Sequence, residues 1–239
     1  MIFIVLNLTI LSWSFVDTTM DPETADILIR SRYTILQILE DRGYDTKDYR
    51  NISPDQILEL ASGTTEAGNK ALNMGVKAKP GGPATCPVAV VNYQIVDRLR
   101  TRLGTFLRDL YDKDVSGKDA LEYNYDVIIL LNEPYNEAFD KAALQMWQTN
   151  KARVTFFHIK QVVVHLGRHE LVPPHRKLSP EEGRAELERW RITQRSQLPL
   201  IKHHDIQSRI LGLVPGDIVE VLRPSSTTGV SRVLRICAA

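Results

Sequence analysis

The run Asp126-Val127-Ile128-Ile129-Leu130-Leu131 constrains the fold more than any other stretch of this chain. After one aspartate it is apolar without a break, which is the pattern of a short strand buried on both faces. Pro134 ends it. Such a strand needs helices on either side, and helical spacing flanks it. Thr24 to Arg42 carries Ala25, Ile27, Leu28, Ile29, Tyr33, Ile35, Leu36, Ile38 and Leu39, and Gly43 closes the helix. Val96 to Tyr111 places Leu99, Leu103, Phe106, Leu107 and Leu110 on one side, and Ala138 to Gln148 forms a further helix. Val88 to Ile95 and Val154 to Phe157 have strand composition. Strands alternating with helices imply an α/β domain, helices around a mixed sheet that is at least partly parallel.

Ser53, Pro54 and Gln56 form a capping box for another helix, with Ile57, Leu58 and Leu60 on its buried face. Ser62 to Pro87 is rich in Gly, Ala, Lys, Thr and Pro and reads as an exposed loop. The polar stretch Asp112 to Asn124 turns the chain. Beyond residue 160 the character changes. Gln161 to Leu166 has strand composition, and Ser179-Pro180-Glu181-Glu182 opens a helix running to about Trp190. Leu198-Pro199 leads into a short helical segment near Ile201, and Asp205 caps another through Ile210. Gly216-Asp217 turns into the strand Ile218 to Leu222, and Ser225 to Gly229 makes a hairpin before Arg232 to Ile236. The expectation is an α/β domain over 20–160 and a small α+β domain over 161–239.

Residues 1–19 are expected to lie outside the fold. Met1 to Val16 is apolar with no Lys or Arg, so it lacks the basic start of a secretory signal and is short for a membrane span. Met20-Asp21-Pro22-Glu23 resembles a natural start, and an upstream extension is favoured over a cleaved signal or an anchor.

The net charge of +1 makes the whole chain a poor electrostatic partner for nucleic acid. From Val164 onward there are 12 Lys+Arg against 8 Asp+Glu, a basic excess best read as solvated surface. Cys86 and Cys237 form neither a disulfide framework nor a C-x-x-C pair, which fits a reducing compartment. Six histidines, His158, His165, His169, His175, His203 and His204, are better read as structural or surface residues than as zinc ligands. A metal-dependent nuclease would need carboxylates and a lysine on neighbouring strands. Asp126 and Glu133 supply the former, but Asp45-Thr46-Lys47 lies in a loop. No P-loop, G-x-S-x-G or G-x-G-x-x-G is present. No cofactor and no catalytic residue are expected.

The segment from Gln161 to Cys237 carries an ordered set of motifs: His169-Glu170-Leu171-Val172-Pro173-Pro174-His175, Leu178-Ser179-Pro180-Glu181-Glu182, Gln197-Leu198-Pro199, Asp205, Arg209, Gly212, Gly216-Asp217, and Arg223, Ser225, Thr227 and Gly229. In order and spacing it resembles the C-terminal domain of the small RNA polymerase subunit shared by eukaryotic polymerases I, II and III, which has a counterpart in archaeal polymerases. The chain departs from that pattern at Ile206, Val214, Glu220 and Thr228, and three of these changes fall where the family carries Lys or Pro. Ahead of it, Asp41-Arg42-Gly43-Tyr44 and Asp126 to Glu133 resemble the eukaryotic jaw domain. The resemblance implies a nuclear, non-catalytic subunit whose C-terminal domain docks on the largest polymerase subunit. Its jaw would lie along downstream duplex DNA, contacting it weakly and without sequence preference, and no membrane is involved. A DNA-proximal stretch of the family aligns with Asn136-Glu137-Ala138-Phe139, where the family motif is not kept and Glu137 would repel phosphate. The alternative is a free-standing DNA-binding or nuclease-like protein.

Overall fold

The structure is a computed structural model, and it describes residues 21–62, 71–95, 99–116 and 120–239. The apolar leader, the choice of Met20 as start and the first residues of the helix expected from Val96 lie outside the described residues. The first sheet has the order β1-β2-β3-β4, formed by Met74–Lys77, Val88–Gln94, Asp126–Leu131 and Arg153–His158. β2, β3 and β4 are parallel and β1 is antiparallel, so the sheet is mixed as expected. β3 is buried at every residue. Its alternation splits the apolar run between two cores. Ile128 and Leu130 face α1 (Pro22–Asp41) and α3 (Pro54–Ser62), with Leu28, Ile35, Leu36, Leu39 and Ile57. Val127, Ile129 and Leu131 face α4 (Leu103–Tyr111) and α6 (Glu137–Asn150), with Leu107, Phe139 and Phe156. Each fully buried Leu, Ile or Phe here contributes roughly 1.5–3 kcal/mol by leaving water.

Local signals start these helices. Asp21 accepts from the Thr24 amide at 3.3 Å ahead of Pro22. The Ser53–Gln56 capping box is present in both directions, at 2.9 and 3.3 Å. Gly43 ends α1 with φ +96°, and a side chain there would sit 2.7 Å from Pro83 Cδ. Short helices over Lys47–Arg50 (α2) and Lys113–Ser116 (α5) add turns that the polar composition had hidden.

The second sheet has the order β5-β7-β8-β6, from His175–Lys177, Ile218–Ser225, Gly229–Ala238 and Leu200–Lys202. β7 and β8 form the expected hairpin, with Ser225 opposite Gly229. The helix α7 (Pro180–Arg189) packs Leu187 against Leu178, Leu198, Ile218 and Leu234 on one face. Its Ser179–Glu182 capping box forms as expected, at 2.9 and 3.1 Å.

Three expectations are corrected. The stretch 62–87 is not all exposed loop. Met74 and Val76 are buried in β1, alternating with exposed Gly75 and Lys77. Gln161 to Leu166 is not a strand. A capping box between His158 and Gln161 turns the chain into a 3-10 helix at Ile159–Val162 as soon as β4 ends, and Val162 packs on α1. The segment near Ile201 is not helical but edge strand β6, because Pro199 and the following backbone pair with β8. Residues beyond 160 also pack on the first core. Val162 and Ile210 are buried in it, and Leu166 and Ile206 pack against it.

Candidate assembly interface

His169 to His175 forms the entry to the second sheet. His169 follows a 3-10 turn, its Nδ1 accepts from the Leu171 amide at 3.2 Å, and its carbonyl accepts from Val172 at 2.9 Å. These bonds hold a tight turn whose crown is Leu171, 84% exposed, with His169 and Glu170 exposed beside it. Pro173 and Pro174 then straighten the chain. The Pro173 carbonyl accepts from His175 Nδ1 at 2.6 Å, and Pro174 accepts from the Leu222 amide at 3.0 Å. The motif therefore builds an edge strand and leaves an apolar side chain in water.

The hairpin continues the same surface. Leu222, Arg223, Pro224 and Val230 are exposed. Ser225 Oγ accepts from the amides of Thr227 and Thr228, each at 3.4 Å, and Gly229 takes φ +71° to complete the turn. Gln197-Leu198-Pro199 plays a different part. Leu198 is buried under α7, and the Pro199 carbonyl accepts from Ile236 at 3.0 Å, so this motif docks β6.

Arg209, Gly212, Gly216 and Asp217 face inward. Arg209 Nη1 donates to the Phe156 carbonyl at 3.1 Å and to Gln161 Oε1 at 3.2 Å, and its guanidinium lies 4.5 Å from the Tyr135 ring. Asp217 accepts from the Val214 amide at 3.0 Å, from Lys177 Nζ at 2.8 Å and from Arg153 at 3.4 Å. Burial and the neighbouring Arg153 pull the Lys177 pKa down, against the opposing pull of Asp217. Gly216 holds φ +98° at the turn into β7. The residue that completes this group is Arg42, at the end of α1. Its side chain is 4% exposed and bonds Asp126 Oδ2 at 2.8 Å. Sequence reasoning placed Arg42 only in a jaw motif. Its position one residue before a helix-ending glycine was the available signal.

The outer part of the second sheet carries an ionic ladder. Arg176 joins Glu182 at 2.8 Å and Glu220 at 2.9 Å, Glu220 also pairs with Arg232, and Arg232 reaches Glu186 at 2.8 Å. Burial raises the Glu220 pKa, but hydrogen bonds from Arg232 and Arg176 outweigh it and hold the carboxyl below its usual value. Glu220 is one of the departures from the family pattern. Here it pairs with Arg176 of β5 and Arg232 of β8, the strands on either side of its own.

The stretch aligned with the DNA-proximal motif is split. Asn136 caps α6, accepting from Ala138 at 3.1 Å. Glu137 projects into solvent with Lys141 at 3.7 Å, while Phe139 is fully buried against Phe156. Only the first two of these four therefore offer polar groups at the surface.

The nuclease constellation does not come together. Asp126 is buried and already held by Arg42, with Tyr44 Oη donating to it at 3.3 Å, and Glu133 accepts from the Arg100 amide at 2.9 Å. Among the described residues no three His, Cys, Asp or Glu gather as a metal site. Burial pushes the Cys237 thiol up to about 12 and raises that of Cys86, which leaves both poorly nucleophilic. No described helix is long and apolar enough to cross a membrane.

Residues 164–237 match the family described as RNA polymerase Rpb5, C-terminal domain. The DNA-directed RNA polymerase subunit Rpo5 of Pyrococcus abyssi is 51% identical over 69 residues, 29% of this chain and 83% of its own. The DNA-directed RNA polymerases I, II, and III subunit rpabc1 of Dictyostelium discoideum is 26% identical over 215 residues, 90% of this chain and 99% of its own. The first likeness is the size of the C-terminal region, and the second runs through both sheets. Half of the aligned positions are thus shared across most of an archaeal subunit, the family match covers the residues that build the second sheet, and the chain belongs to the Rpb5 family of RNA polymerase subunits.

Proposed function

We propose that this chain is a non-catalytic subunit of DNA-directed RNA polymerases, present in the nucleus and shared among polymerases I, II and III. Residues 161–239 act as the assembly region and dock on the largest subunit. Residues 20–160 act as a jaw beside downstream duplex DNA. The observation that carries this reading is the likeness to the Dictyostelium shared subunit over 99% of that protein's length. The surface supports it. The exposed side chains Leu171, Leu222 and Val230 give the second sheet an unpaired apolar fringe, which fits a permanent partner. The jaw side supports weak DNA contact only, because Glu137 stands in solvent at the start of α6. Contacts there would be few, to phosphate, and without base readout.

Affinity purification of the tagged chain from its own cells tests this. Large polymerase subunits should be recovered in stoichiometric amounts. Recovery of a monomer that binds duplex DNA tightly by itself would favour a free-standing DNA-binding protein instead.

A further inference from the structure

We propose that the two regions form one mechanical unit, with Arg42 fixing the angle between them, so that the jaw inherits its orientation from the assembly region. Domains joined in one chain normally move relative to each other unless their boundary is strong. This boundary is crossed in both directions. From the jaw side, Arg42 Nε donates to the Ile210 carbonyl at 2.9 Å and Nη2 donates to the Arg209 carbonyl. Arg153 Nη1 donates to the Gly212 carbonyl at 3.1 Å. From the assembly side, Arg209 reaches back to the Phe156 carbonyl at 3.1 Å. At the rim, Arg168 pairs with Asp41 at 2.6 Å and Thr34 Oγ1 donates to the Val163 carbonyl at 3.3 Å.

The acceptors explain why this is a lock. The carbonyls of Arg209, Ile210 and Gly212 stand at and just beyond the C-terminal end of α8 (Ile206–Ile210), where a helix runs short of its own donors, and of the three the Arg209 carbonyl also accepts from the Gly212 amide at 3.2 Å. The guanidinia of another region supply the missing cap. Gly212 adapts to this. It has φ +63°, and a Cβ there would lie 3.0 Å from Arg42 Cζ and Nη1. Asp126, buried at the start of β3, fixes the far side of the same guanidinium. A hinge motion would have to break bonds pointing in several directions at once and strand a buried charge. The inference rests on the proposed function only for what the fixed angle serves.

Calorimetry and hydrogen exchange on the full chain test it. The wild type should melt in a single transition. Two variants loosen the lock differently. R42M combined with D126N removes both charges together, so neither is left buried, and G212V displaces the guanidinium without changing charge. In both, the midpoint should fall, and the amides of Leu211 and Leu213 should exchange at least about tenfold faster while β3 and β8 stay protected. Two transitions in the wild type, or variants that exchange around α8 as the wild type does, would overturn the proposal. If polymerase subunits failed to co-purify, the thermal result would stand and only its use would be lost.

Discussion

In the first sheet, β3 is buried along its whole length, with helices on both faces. In the second, β7 is buried from Ile218 to Val221 and leaves Leu222, Arg223 and Pro224 exposed. The ionic groups differ in the same way. Where the regions meet, Arg42 and Asp126 are nearly dry, and Arg42, Arg153 and Arg209 each bond at least one backbone carbonyl. On the second sheet, Arg176 is 54% exposed and its partners are carboxylates. The same residue types thus do two jobs. At the boundary they bond the carbonyls at a helix end, whereas on the second sheet they bond carboxylates at a more exposed place, around a Glu220 that is itself buried.

The comparison breaks most readily at Asp126. Replacing it with Ala leaves Arg42 buried without its counter-ion, and stability should fall by about 3–5 kcal/mol in denaturant titration. E220Q on the outer ladder should cost much less, because Arg176 and Arg232 can rehydrate. Equal losses would erase the distinction. Next comes G216V, which forces a β-branched residue to φ +98° and should cost about 1–3 kcal/mol. Wild-type melting of that variant would refute the reading of the turn.

A smaller effect concerns His203, which is buried beside a small cavity lined by Tyr135, Asp140 and Arg209. Burial lowers its pKa from 6.5, Asp140 opposes that, and His204 and Arg209 lower it further. A histidine depressed in the fold contributes stability above its unfolded pKa and loses it as pH falls through the folded value. The melting temperature should therefore drop on acidifying below about 6.5, and H203Q should reduce that drop. An unchanged pH profile would count against it. L171S with L222S should leave stability within about 0.5 kcal/mol of wild type, yet abolish recovery of polymerase subunits. Normal recovery would show that the fringe is not the docking surface. The least effect is expected from E137K, a slight gain in duplex binding equal for all sequences, measured by titration at two salt concentrations. A sequence-dependent gain would contradict phosphate-only contact.

Much of this was legible because local and long-range signals agreed. The apolar run at 127–131, the Ser53 and Ser179 capping boxes and the Ser225–Gly229 turn each specify their element within a few residues. β1 was missed because its two buried side chains, Met74 and Val76, sit in a stretch dominated by loop composition. Gln161 to Leu166 misled because its valines favour a strand, while the cap on His158 and the face of α1 decide otherwise. The boundary was illegible for a different reason. Arg42, Arg153 and Arg209 bond backbone carbonyls, and a carbonyl leaves no trace in the residue type that presents it. Among the motif residues, Arg209 and Gly212 face the other half of their own chain.

The lock between the regions also has a consequence in time. A chain is made from its N-terminus, so the first sheet is complete well before Ile210 and Gly212 leave the ribosome. During that interval Arg42 has Asp126, but its acceptors at 209 and 210 do not yet exist. The β7–β8 hairpin closes locally within microseconds, whereas β5 must find β7 across more than forty residues. Nascent chains stalled before residue 210 should therefore be the form that most needs a chaperone, with α1 ending in a cation that has nothing to cap.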